Sequence, residues 1–135
     1  MLIDSNILLE FFLDQERADE CQKLLEKVEV GDIVCFISSF NVDGILIGLE
    51  RKTGNLVLMQ RFLNIVLLSV GFTFYSHVNS DILEAIKNME KYGLDFEDSM
   101  TLQAAISTGS TEIISFDRHF DNIPGIKRIE PAEVV

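Results

Sequence analysis

The stretch "IISFDRHFDN", Ile113–Asn122, decides how this chain is read. Two isoleucines run into Ser115 and Phe116, a short apolar segment with strand composition. Asp117 follows at once, then Arg118, His119 and a second acid, Asp121. A buried strand that ends on a carboxylate either closes with a turn residue or presents an acid at a site. Whether other strands end the same way decides between the two.

Working outward, strands and helices alternate. "MLI" is a short strand ending at Asp4, and Ser5 to about Leu13 forms a first helix that breaks near Asp14 and Gln15. Glu16 to Val28 has apolar residues at 18, 21, 24, 25 and 28, the helical period. After the turn "GD" comes "IVCFI" at 33–37, a buried strand. Ser38 or Ser39 caps the next helix, to about Lys52, and "TGN" breaks it. Leu56–Leu68 is a helix and "FTFY" at 72–75 a strand. Asn79 or Ser80 caps a helix stopped by Gly93, and Asp95 starts another that runs to Thr108–Gly109. "EIIS" and "IKRI" supply the last strands, with Pro124–Gly125 as a turn.

This order predicts an α/β protein, a three-layer sandwich around a five-stranded parallel sheet with right-handed crossovers. The strands are expected at 1–4, 33–37, 72–75, 112–116 and 126–129, in a single domain over residues 1–135. Sites in such sheets form beyond the carboxyl ends of the strands. Asp4 and Asp117 both lie there.

Composition narrows the function. The chain has 22 acids against 11 bases, a net charge of −11. Its overall field repels phosphate, which excludes general electrostatic attraction to nucleic acid. The two cysteines, Cys21 and Cys35, form no CxxC and no disulfide framework, and no signal peptide is visible. A reducing cytosol is expected. The most apolar stretch, Phe62 to Tyr75, is too short to span a bilayer and predicts a buried helix followed by a strand.

Each acid has an ordinary explanation alone. Asp4, before "SN", suits a helix cap, and so does Asp117 before a short turn. In "GLDFEDSMTLQAA", Asp95 suits an N-cap with Asp98 at the third helical position. Their joint occurrence carries more. Two carboxylates about 5 Å apart repel by roughly 3 kcal/mol at an effective dielectric near 20. Three that converge must protonate or bind a cation. All-oxygen ligation suits Mg²⁺ or Mn²⁺, and a carboxylate-held ion of that kind keeps waters that serve in hydrolysis.

At these motifs the chain resembles the PIN-domain ribonucleases, which include the VapC-type toxins of toxin–antitoxin pairs. "LIDSNILLEFF" is similar to the family's opening strand with its first metal-binding Asp, "GLDFEDSMTLQAAISTG" to its third acidic motif, and "EIISFDRHFDNIPGIKRIEP" to its fourth. The resemblance spans essentially the whole chain. It implies a metal-dependent endoribonuclease acting on RNA, with Asp4, Asp98 and Asp117 as metal-site acids using Mg²⁺ or Mn²⁺. It further implies that Asn6 and Ser115 hydrogen-bond those carboxylates, with Asp95 and Asp121 as supporting acids. A homodimer and a small antitoxin protein are the implied partners.

Two positions depart from the family's pattern. Its usual Glu, early in the helix after the second strand, falls at Gly44 in "FISSFNVDGILIGLERK". Asp43 is the expected substitute, with Glu50 nearly two turns on; one residue turns a helix by about 100°. His119 stands where the family often has another acid and is read as a surface or substrate-facing residue. Arg118, beside Asp117, is the expected phosphate-binding residue, with Arg51–Lys52 a weaker candidate. His77 has no serine or cysteine context for a triad. The apolar residues of the 56–68 helix exceed one stripe. Core burial is its default, and a surplus face favours a second copy or a partner helix. The rival reading is a degenerate PIN fold that serves as a scaffold without catalysis, favoured by the displaced acid and the net charge.

Overall fold

The period-2 pattern of the strands sets the layers. In the computed structural model, which describes residues 1–135, β1 (Leu2–Ile3), β2 (Cys35–Ser38), β3 (Phe72–Tyr75), β4 (Glu112–Ile114) and β5 (Lys127–Ile129) form one sheet. The order is β3-β2-β1-β4-β5 and every pairing is parallel. Ile3, Ile37 and Ile114 point to one face; Leu2, Phe36 and Ile113 point to the other. The first face packs on α1 (Ser5–Phe12), α2 (Ala18–Val30), α3 (Ser39–Thr53) and α4 (Leu56–Leu68). The second carries α5 (Asn79–Tyr92) and α6 (Phe96–Ser107), with Leu102, Ala104, Ala105 and Phe120 in its core. This is the expected three-layer sandwich.

The strand order places the site. The chain leaves β1 toward β2 and β3, then returns to the far side of β1 as β4. The ends of β1 and β4 are therefore the switch point, where diverging connections leave a crevice. The two strands pair directly, Leu2 with Ile113 and Ile3 with Ile114, so Asp4 and Ser115 emerge side by side.

Several expectations shift. Strand β2 starts two residues late and ends at Ser38, whose hydroxyl caps α3 by accepting from the Asn41 N–H. Strand β4 stops at Ile114 and leaves Ser115 and Phe116 beyond the ladder. Helix α2 begins at Ala18: the Arg17 N–H is taken by the Glu10 carboxylate at 2.7 Å, while its side chain pairs with Glu20 and Glu130. Glu130 ties Arg17 to Arg128, and the short α7 (Pro131–Val134) that follows was not expected. Gly71 admits no side chain: a Cβ there meets the Ile33 and Val28 carbonyl oxygens at 2.1 and 2.5 Å.

The largest correction concerns α4. It buries only Phe62 and Val66, while Leu56, Val57, Leu67 and Leu68 are 60–79% exposed. The expected buried helix is half outside, because its apolar residues surround the axis and one helix can offer the sheet only one stripe. No helix is long and apolar enough to cross a membrane.

Candidate metal centre at the sheet rim

Asp4 ends β1 and caps α1 in one step. Its Oδ1 accepts the Ser5 N–H at 2.7 Å, and its Oδ2 accepts the Ser115 hydroxyl at 2.7 Å. The side chain is 5% exposed. Ser115, fully buried, is the hub: its Oγ also accepts from Asn6 Nδ2 at 3.0 Å and from the Asp117 N–H at 2.9 Å. Asn6 thus reaches the acids only through Ser115, and its Oδ1 accepts the Phe116 N–H. Only Ser115 bonds a carboxylate directly.

Asp98 stands one turn into α6, whose N-cap Asp95 accepts the Asp98 N–H at 2.8 Å. Asp95 itself is exposed and holds the helix start. Asp117 caps a 3-10 turn, Arg118–Phe120, by accepting the His119 N–H at 2.9 Å. That turn returns the His119 ring to the rim. Its Nδ1 lies 2.9 Å from Asp98 Oδ2 and 3.1 Å from Asp117 Oδ1. One ligand atom from each of Asp98, Asp117 and His119 falls within 4.8 Å of the others. Asp4 lies outside that trio and acts on it through charge.

The electrostatics follow from the placement. Burial pushes the Asp4 carboxyl up to about 6; the bonds from Ser115 and Ser5 oppose this, and the charges of Asp98 and Asp117 add to it. Burial also raises Asp98, opposed by its bond to His119 and reinforced by Asp117. His119 is held above its ordinary value, first by the hydrogen bond to Asp98 and then by the charge of Asp117.

The other expected site residues divide. Asp43 is exposed on the wall of a groove of about 460 Å³, with Gly44, Arg51 and Glu97. The reason is helical phase. Asn41 and Ile45 face inward, and Asp43 sits two residues, roughly 200°, from Asn41. Glu50 is exposed as well. Asp121 pairs with Arg128 Nε at 2.6 Å rather than with the acids. Arg118 is exposed and forms no ion pair. His77 does have a serine beside it: Ser39 Oγ lies 3.0 Å from its Nδ1, with no acid completing a triad.

Two residues escaped sequence reasoning. Asn41, 1% exposed, donates to the Ile3 carbonyl and accepts from Thr101 Oγ1 at 3.2 Å. It braces the strand that carries Asp4 against the helix that carries Asp98. An amide among the apolar residues of "SFNVDGIL" was the available signal. His119 was seen but assigned outward; its ring is exposed, yet its nitrogen joins the acids.

The donor set fits a divalent ion: two carboxylates and one imidazole converge at the rim that also holds the buried Asp4. A parallel α/β/α sandwich with an acidic switch point is the class this defines. The chain belongs to the PIN-domain family, whose model matches residues 1–126. No curated protein matches it. Among solved structures it is similar to a toxin–antitoxin complex from Klebsiella pneumoniae, at 21% identity and TM-score 0.69, covering 96% of each chain. It is similar to VapC20 of Mycobacterium tuberculosis, a sarcin–ricin loop cleaving toxin, at 14% and 0.72, covering 87% of this chain and 89% of that one. A third is VapBC2 of Rickettsia felis bound to a promoter DNA fragment, at 16% and 0.71, covering 96% of each.

Proposed function

We propose that this protein is a divalent-metal-dependent endoribonuclease of the PIN family, the toxin of a toxin–antitoxin pair acting in the cytosol. The observation that carries the reading is the convergence of Asp98, Asp117 and His119 in front of the buried Asp4. Mg²⁺ or Mn²⁺ is the family's ion, and when bound it supplies positive charge to a phosphate and a water of lowered pKa. Asp98 and Asp117 would hold the ion. Asp4, oriented by Ser5 and Ser115, would add negative charge to the site. Ser115 fixes Asp4 relative to Asp117, and Asn6 fixes Ser115. Arg118, exposed and unpaired beside Asp117, contacts the RNA backbone and offsets part of the overall repulsion. Asp43, outside the acid cluster, meets substrate or partner along its groove. The structural neighbours that are toxin–antitoxin complexes support an antitoxin partner. The exposed apolar side of α4 supports a homodimer.

The test is cleavage of structured and unstructured RNAs with and without Mn²⁺, beside Asp98→Asn. Cleavage is expected only with metal, and the variant loses about 100-fold or more in rate with an unchanged circular dichroism spectrum. An unchanged rate in Asp98→Asn overturns the reading. A second reading, a scaffold without catalysis, rests on Gly44 standing where the family has its Glu and on His119 already bridging two acids. Calorimetry decides: no Mn²⁺ binding at millimolar metal selects the scaffold.

A further inference from the structure

We propose that His119 is a nitrogen ligand of the metal, so that the site takes Mn²⁺, Co²⁺ or Ni²⁺ in preference to Mg²⁺. This rests on the metal-centre reading above and adds to it a ligand and an order of preference.

Geometry carries the inference. His119 Nδ1 is 2.9 Å from Asp98 Oδ2 and 3.1 Å from Asp117 Oδ1. An octahedral ion with donors at about 2.1 Å sets neighbouring donors about 3.0 Å apart. The imidazole nitrogen therefore stands at both carboxylates with the spacing of adjacent ligand positions. With its proton on Nδ1, the imidazole donates to these acids. With the proton on Nε2 instead, the Nδ1 lone pair faces the same point.

The turn holds the ring there. The Asp117 side chain accepts the His119 N–H, so the two residues are fixed together, and Phe120, fully buried, anchors the turn. Nothing else in the chain engages the imidazole: the ring is 69% exposed and Nε2 has no protein partner. Arg118, next in the turn, points to solvent and does not compete.

Chemistry then sets the preference. Mg²⁺ strongly favours oxygen ligands, whereas imidazole suits the later divalent ions, whose affinity for nitrogen rises along the series from Mn²⁺ to Ni²⁺. An all-carboxylate rim would show this bias more weakly.

The experiment titrates the metal-free full-length chain with Mg²⁺, Mn²⁺ and Co²⁺ by calorimetry. It compares the natural protein with His119→Ala, His119→Asp and Asp98→Asn, and pulsed electron paramagnetic resonance examines the Mn²⁺ complex. Co²⁺ is expected to bind more tightly than Mg²⁺. His119→Ala loses roughly tenfold or more in Co²⁺ affinity with little change for Mg²⁺. His119→Asp restores binding but narrows the difference between Co²⁺ and Mg²⁺. A ¹⁴N coupling appears in the natural protein and disappears in His119→Ala. If metal binds, depends on Asp98, and yet shows no ¹⁴N coupling and no response to His119→Ala, this inference falls and the metal centre stands. If no metal binds at all, both fall together.

Discussion

Two carboxylates in this protein are buried to nearly the same degree, Asp4 at 5% exposure and Asp81 at 6%, and they meet opposite fates. Burial works to raise both. Asp81 accepts the Tyr75 hydroxyl at 2.6 Å, the Ser107 hydroxyl at 2.7 Å and the Val78 N–H at 2.9 Å. These donors outweigh burial and hold Asp81 below the usual carboxylate range. Asp4, despite its similar exposure, lies deeper among protein atoms: burial outweighs its Ser115 and Ser5 bonds, the charges of Asp98 and Asp117 add to it, and it rises to about 6. Asp81 is completed by its own chain and locks β3, α5 and α6 together. Asp4 is left to take up a proton or to lie beside a cation. Structural acids close their account with protein donors; site acids are left open to something the chain does not supply.

The largest effect that tests this contrast is on stability without metal. Asp81→Ala strips three donors of a buried charged acceptor and should cost about 3 kcal/mol or more. Asp4→Asn keeps a capping oxygen for Ser5 and removes a charge its surroundings disfavour, but it takes from the Ser115 hydroxyl its acceptor. It should cost about 1–2 kcal/mol, less than Asp81→Ala. Urea denaturation in chelator measures both. Equal losses would break the contrast, because Asp4 would then also be a structural acid.

The pH dependence sharpens it. Asp4 has a folded-state value raised from 3.8 to about 6, so its proton stabilises the fold at low pH, and this contribution is lost as pH rises through 6. His119, also raised, loses its contribution in the same direction. Asp81 and Glu130 are lowered, and their contributions are already complete above the unfolded carboxylate range. The metal-free protein should therefore be about 1 kcal/mol more stable at pH 5 than at pH 7.5. Denaturation midpoints at the two pH values show this, and Asp4→Asn should flatten the difference. A natural protein more stable at pH 7.5 would reverse the assignment of Asp4.

How much of this was legible follows from which interactions are local. The β-rich runs, the Asp95 cap and the Gly93 stop are written within a few residues; the two caps lie where their patterns do, and the strand ends move by one or two residues. Asp4 and Asp117 follow from knowing that strand ends share a rim, whereas Asp98, on a helix, follows only from the resemblance of its motif. What was hidden depends on direction rather than spacing. A 3-10 turn three residues long has no period from which the aim of His119 could be read. The Asp121–Arg128 pair and the Ser39–His77 contact join segments whose proximity only the finished sheet creates. Asn41 looked like one more polar residue at a helix start. The exposure of α4 was concealed because a helix apolar all round does not say which stripe the sheet will take.

The smallest expected effect lies at Gly44, one turn beyond Asn41 on the same helix. A Cβ there meets nothing within 4 Å, so the position tolerates a side chain. Gly44→Ala should raise stability by about 0.5–1 kcal/mol through helix propensity alone. Gly44→Glu carries the same backbone gain, reduced by repulsion from nearby Asp43 and Glu97 on the groove. If the rim lacks one acid there, Gly44→Glu should also bind Mn²⁺ a few-fold more tightly than Gly44→Ala, which controls for the helix. Calorimetry on the pair isolates the carboxylate. Equal affinities would mean that this helix no longer faces the ion, and that Asp98, Asp117 and His119, backed by Asp4, form the whole site.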